Sequence, residues 1–108
     1  MRIDIAQLEF IDLTLRKILT EIERVTGIEF TVTSLYRIDD DGVHGTLPLR
    51  GTDLRCRSKA VGEFLRDWIN ARWIYDPARP SRDVCIFHDT GSGYHLHIQV
   101  HPATVIRP

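Results

Sequence analysis

A chain of 108 residues, of which 43% are hydrophobic and 27% charged, has the composition of an ordinary globular protein and the length of a single domain, residues 1–108. Its 14 Lys and Arg against 15 Asp and Glu give a net charge of -1, which argues against binding of nucleic acid or anionic membranes, because both call for a basic surplus. No apolar run approaches the roughly 18 residues that cross a bilayer, so no membrane span is expected.

The amino-terminal segment lacks the charged and apolar regions of a signal peptide. We therefore expect the chain to be made in the cytoplasm, which does not fix where it acts. Cys56 and Cys85 follow no CxxC spacing, so neither a disulfide framework nor a cysteine zinc site is expected. Each thiol is interpreted as a small buried hydrophobe.

The first predicted element is an amphipathic helix from Ile11 to Thr26. Apolar residues recur in it at three- and four-residue spacing, charged residues fill its other faces, and Gly27 is its expected C-cap. The apolar stripe consists of Ile11, Leu15, Ile18, Ile22 and Val25. This helix carries no residue suited to chemistry, so we predict a structural role for it.

Two predicted strands follow, joined by a long loop. β-branched and aromatic residues favour a strand from Glu29 to Tyr36, and Arg37 stands at its end. The loop carries His44 and leads into a short second strand that carries Asp53.

A second helix is predicted from Lys59 to Arg72, with Ser58 as its N-cap. Its expected core stripe consists of Val61, Phe64, Leu65, Trp68 and Ile69. The segment from Tyr75 to Arg82 contains two prolines and is predicted to be an irregular connection.

The chain closes with a predicted β-hairpin. The strand Val84 to Asp89 and the strand Tyr94 to His101 flank the Gly-rich loop Thr90 to Gly93. In this register His88 faces His95 and Ile86 faces His97, so His88 joins the same side of the sheet; a slip of one residue would move His88 to the other side. Pro102 is expected to end the last strand.

The alternation along the last strand predicts one apolar face and one face that carries histidines. Period-two alternation places Tyr94, Leu96, Ile98 and Val100 on one side, and His95, His97, Gln99 and His101 on the other. The order of elements predicts an α+β domain, a small and mainly antiparallel sheet with both helices packed on one face. The other face would bear the histidines.

Those histidines suggest metal or proton chemistry. A catalytic zinc needs three protein ligands and an open fourth position, and nitrogen and carboxylate oxygen are suitable donors. His44, Asp53 and one histidine of the pair His95 and His97 have the right chemistry. On the residues alone, unrelated surface histidines are the favoured interpretation.

At this point the sequence resembles the zinc peptidases of the D-alanyl-D-alanine carboxypeptidase and Hedgehog-domain superfamily, which includes many phage endolysins. Ser34-Leu35-Tyr36-Arg37 is similar to the Ser-x-Tyr-Arg segment of that superfamily, and His44 through Gly51-Thr52-Asp53 is similar to its His…Gly…Asp segment. His95-Leu96-His97 resembles the closing His-x-His, and a helix lies between the second and third motifs. The resemblance covers about residues 31–100.

The resemblance implies a Hedgehog-like, DD-peptidase-like fold and a zinc site made by His44, Asp53 and His97. His95 would stand beside the metal for proton transfer, and Arg37 would hold the developing oxyanion or a substrate carboxylate, with Tyr36 beside it as a substrate-binding residue. Zinc polarises a scissile carbonyl, and a guanidinium stabilises a tetrahedral anion.

Two features depart from the family pattern. The segment Leu47-Pro48-Leu49 lengthens the loop between the first His and the Asp, and Tyr94 stands where many members place a Glu as general base. We therefore assign the general base to His95 first, to His88 second and to Asp89 third.

The activity implied by the resemblance is zinc-dependent hydrolysis of a peptide bond in the stem or cross-link of peptidoglycan, as in a phage-type murein carboxypeptidase or endopeptidase acting at the cell wall or in a phage particle. The rival interpretation is a zinc-containing binding or virion structural domain of the same fold that hydrolyses nothing. A metal-independent binder of small molecules is a third.

Overall fold

The computed structural model describes residues 11–27, the backbone of residues 31–34, and residues 50–89, 91 and 93–108. These residues form an α+β fold with two helices and a small antiparallel sheet, which confirms the predicted class. The helices are α1 (Leu13–Thr26) and α2 (Lys59–Arg72). The strands are β1 (Thr31–Ser34), β2 (Gly51–Cys56), β3 (Trp73–Ile74), β4 (Cys85–Asp89), β5 (Tyr94–Gln99) and β6 (Val105–Ile106).

The main sheet has the strand order β1-β2-β5-β4, and every neighbouring pair is antiparallel. Strand β5, the last of these four along the chain, therefore lies inside the sheet, between β2 and its hairpin partner β4. Its side chains alternate as predicted: Leu96 and Ile98 are fully buried, whereas His95, His97 and Gln99 are half-buried.

Both helices share one hydrophobic core with the buried face of this sheet. Leu15 and Ile18 of α1 and Leu65 of α2 are buried with Leu54 of β2 and Leu96 of β5. The helices thus cover the apolar side of the sheet, and the side that carries the histidines faces away from them. No helix in the described ranges is both long and apolar enough to cross a membrane.

Helix α1 begins two residues later than predicted because Asp12 caps it. The Asp12 carboxylate accepts hydrogen bonds from the backbone N–H groups of Thr14 and Leu15, at 2.8 and 3.2 Å. Gly27 ends the helix with a φ of 66°, as expected of a left-handed C-cap. Val25 was predicted in the core stripe and is instead half exposed, because a rotation of 100° per residue carries it to the edge of that stripe.

Helix α2 has the predicted bounds and the predicted cap, but its buried face is rotated. Phe64 was expected in the core and is 57% exposed, whereas Gly62 is buried. A Cβ atom at Gly62 would come within 2.7 Å of Phe87 Cδ2. The missing side chain therefore lets the Phe87 ring of β4 pack against the helix backbone.

Residues 75–82 form no helix or strand, which confirms the predicted irregular connection. Strand β3 lies just before them and pairs with β6 in a second small sheet that was not predicted. Asp76 organises the turn that follows. Its carboxylate accepts hydrogen bonds from the backbone N–H of Ala78 and from the Arg79 guanidinium, both at 2.9 Å, and these bonds lower its pKa. Strands of two residues carry little sequence pattern, which is why β3 and β6 escaped prediction.

The last strand of the main sheet ends at Gln99, two residues before the predicted end. His101 lies instead in the turn that leads to β6. Its backbone N–H donates to the Thr104 hydroxyl at 2.8 Å, and its ring Nδ1 accepts from the Ala103 N–H at 3.1 Å. His101 is therefore a structural residue of this turn.

Both cysteines are buried and free, which confirms their interpretation as small hydrophobes. Burial raises the pKa of the Cys85 thiol to about 12. The thiol is consequently protonated at neutral pH and is a poor nucleophile.

Strand β4 lies at the edge of the sheet, and Asn70 of α2 covers part of that edge. The Asn70 amide donates to the Cys85 carbonyl, and its oxygen accepts from the Cys85 N–H, both at 2.9 Å. The side chain thus replaces the backbone partner that an edge strand lacks.

We expect Leu96→Ala to destabilise the fold by about 2–5 kcal/mol, because it opens a cavity between the sheet and both helices. Phe64→Ala removes an exposed side chain and should cost about 1 kcal/mol or less. Urea unfolding of both variants provides the measurement. Equal losses would contradict the rotation of α2 described above.

We expect Asn70→Ala to cost about 2 kcal/mol or more, because it leaves the N–H and C=O of the buried Cys85 without partners. Asp67→Ala, at an exposed position of the same helix, corrects for the change in helix propensity. Thermal unfolding compares the two. Similar midpoints would show that Asn70 does not hold β4 in place.

Candidate metal and catalytic site

The candidate site lies on the face of the main sheet opposite the helices, where the predicted motifs meet in one row across the strands. Ser34 of β1 pairs with Asp53 of β2, Asp53 pairs with His97 of β5, and His97 pairs with Ile86 of β4. The β1–β2 pairing is irregular between Val32 and Ser34, next to Asp53, as at a β-bulge. Residues far apart in sequence are therefore neighbours here because of strand register alone.

Asp53 and His97 are in direct contact. The distance from His97 Nδ1 to Asp53 Oδ1 is 2.8 Å, and their side chains are 17% and 20% exposed. Directly paired residues of an antiparallel sheet share a face, so the backbone ladder itself brings the two groups together. This arrangement fixes one ring nitrogen of His97 against a carboxylate.

The second nitrogen of the His97 ring faces Gln99, a residue to which the sequence assigned no role. His97 Nε2 lies 3.1 Å from Gln99 Oε1. The Gln99 amide group donates to the Asp83 carbonyl at 3.0 Å, which turns its oxygen toward the imidazole. The signal was available, because Gln99 follows His97 by two residues and so shares its face.

The hairpin register places His88 on the same face. His88 pairs with His95 and Ile86 pairs with His97, as predicted. The His88 ring is exposed, and its centroid lies 6.3 Å from that of His97 in an edge-on arrangement. His88 is therefore the second imidazole beside the Asp53–His97 pair.

His95 lies two residue pairs further along the sheet, among different neighbours. Arg55 is its partner on β2, and its ring lies near Gly93, at the end of the hairpin loop. Asp89 pairs with Tyr94, on the other side of the alternation, and its carboxylate accepts from the Gly91 N–H at 3.0 Å. Of the three proposed bases, His88 thus has the contact with His97.

Three of the predicted functional residues, Tyr36, Arg37 and His44, lie outside the described residues. Within the described ranges, no group of three or more His, Cys, Asp or Glu side chains is arranged to hold a metal ion. The described part of the site therefore consists of one carboxylate–imidazole pair with His88 beside it and His95 further along the face.

Comparison with protein-family models, with curated proteins and with solved structures finds no match to this chain.

A double-mutant cycle between Asp53→Ala and His97→Ala in metal-free protein should give a coupling of about 1–3 kcal/mol, because the two groups share a partly buried hydrogen bond. The exposed pair Arg66–Asp67, with a 2.9 Å ion pair, is the matched control, and solvent screening should make its coupling much weaker. A coupling no stronger than in this control would show that the Asp53–His97 contact does not persist in solution.

Proposed function

We propose that the chain is a zinc-dependent hydrolase of a peptide bond in peptidoglycan, with the Hedgehog-like fold that the resemblance implies. The observation that supports this proposal is the row formed by Ser34, Asp53 and His97 on adjacent strands. Each of these residues belongs to a different one of the three motifs that resemble the superfamily. A surface histidine without a role in a site would have no reason to pair with residues of the other two motifs.

The donor set of the row fits zinc in chemistry. A carboxylate oxygen and an imidazole nitrogen are both common zinc ligands. Asp53 Oδ1 and His97 Nδ1 lie 2.8 Å apart, so the two donor atoms share one place on the sheet. Asp53 and His97 would hold the ion there, with His44 as the proposed third ligand.

The residues around the pair have distinct roles in the proposed reaction. A bound zinc ion supplies Lewis acidity that polarises the scissile carbonyl. Gln99, held by the Asp83 carbonyl, fixes the orientation of the His97 ring. His88 and His95 are the proposed proton-transfer groups, with imidazoles suited to that task near neutral pH. Arg37 is the proposed group for a substrate carboxylate or an oxyanion, beside Tyr36.

Tyr94 supports a second candidate, a zinc-containing binding or virion structural domain without hydrolytic activity. Where many superfamily members have a catalytic Glu, the Tyr94 ring stacks on Phe87 at a centroid distance of 5.6 Å. A packing residue then occupies the position of the usual general base. Catalysis by this chain would depend on a histidine instead.

The test of the zinc site is the metal content of the purified protein. We expect about one zinc per chain, lost in both Asp53→Ala and His97→Ala, because each variant removes a ligand. His101→Ala is the matched control, since His101 lies in the turn before β6 and should leave the zinc content unchanged. Failure of the native chain to bind zinc, even after zinc is added, would refute the proposal.

Digestion of purified peptidoglycan then separates the two candidates. Release of peptides by the zinc-loaded chain, reduced in His88→Ala or His95→Ala at unchanged zinc content, supports the hydrolase. A chain that holds zinc but releases nothing, even at high protein concentration, supports the binding domain.

A further inference from the structure

We propose that a basic cleft at the end of β2 and β5, distinct from the Asp53–His97 pair, binds the carboxylate group of a peptide ligand. The cleft encloses about 450 Å³. Its lining residues are Arg55, Cys56, Arg57, Gly93, Tyr94 and His95. Among the residues that the structure describes, two arginines and one histidine line this cleft, and none of the described lining residues is acidic.

The two arginines of this cleft have their charges available for a ligand. Within the described ranges, neither Arg55 nor Arg57 makes an ion pair or a hydrogen bond through its side chain, and both side chains are exposed. Other arginines are engaged: Arg66 and Arg79 pair with Asp67 and Asp76 at 2.9 Å. Adjacent unpaired cations repel each other, and an anion bound in the cleft would offset this repulsive energy.

The nearby acid does not neutralise the cleft. Asp89 stands opposite Tyr94 on β4, but its carboxylate is turned to the Gly91 N–H. On the other side, Arg57 is followed by Ser58, the N-cap of α2, so the positive end of the helix dipole lies next in the chain. The local field therefore favours a negative group.

A carboxylate fits this cleft better than the phosphates of a nucleic acid. The planar guanidinium fork pairs with a carboxylate through two hydrogen bonds, and two such forks suffice to hold one group. Nucleic acid requires a basic surface many residues long, whereas the chain carries 14 basic and 15 acidic residues. Tyr94 adds an aromatic residue to the lining, as suits a peptide.

The position of the cleft also gives a register for a bound peptide, and this step rests on the proposed function. The Arg55–His95 pair lies two residue pairs from the Asp53–His97 pair along β2 and β5, a distance of about 7 Å along the strands. An extended peptide covers that distance in about two residues. A carboxylate in the cleft would therefore place a peptide bond about two residues from it over the Asp53–His97 pair.

The test is calorimetric titration of the metal-free chain, at low ionic strength, with N-acetyl-alanyl-alanine and with the same peptide as its C-terminal amide. We expect the acid to bind at least about tenfold more tightly than the amide, and Arg55→Gln or Arg57→Gln to remove most of that difference. Arg82→Gln, the same change at an exposed position beyond the opposite end of β4, should leave the affinity within about twofold of native.

Equal binding of acid and amide, no binding of either by the native chain, or full affinity in both cleft variants would overturn the proposal. Tighter binding of inorganic phosphate than of the peptide acid would overturn the assignment to carboxylate. Because no metal is present, the outcome is independent of the zinc measurement. If the chain binds the acid but never binds zinc, the proposed carboxylate cleft is supported. Only the proposed hydrolase activity and the proposed register of the peptide are then refuted.

Discussion

The antiparallel register of β5 between β2 and β4 is the constraint on which the rest of this structure depends. It sets Leu96 and Ile98 toward the helices and His95 and His97 away from them. A slip of one residue in either pairing would exchange the two faces, burying imidazoles and exposing the core. The energy of core burial therefore also determines which residues meet on the face opposite the helices.

This dependence explains how a small domain holds a carboxylate and an imidazole together. Asp53 and His97 are a directly opposed pair, so backbone hydrogen bonds position them and no long side chain has to reach across the sheet. Groups placed on strands are held more rigidly than groups placed on loops. The same ladder sets Arg55 beside His95, and the face thus carries two adjacent and chemically different places: an acid–imidazole pair and a basic cleft.

The edge strand β4 is held by contacts from α2. Asn70 pairs with both backbone groups of Cys85, and Gly62 gives the Phe87 ring room against the helix. These contacts position the strand that carries His88. The orientation of His88 toward His97 consequently depends on helix–sheet packing as well as on the hairpin loop.

The sequence by itself determined the class of the fold, both helices, the C-cap of α1, the N-cap of α2 and the hairpin register, because periodicity, cap residues and a Gly-rich loop are local signals. It also indicated that Asp53 and His97 act together, through the resemblance of their motifs. Only the tertiary structure showed that Gly62 is buried against the Phe87 ring while Phe64 is exposed. The Asp83 carbonyl that holds the Gln99 amide, the second sheet and the basic cleft were also beyond the sequence, because each is made by contacts between segments whose separation along the chain carries no pattern.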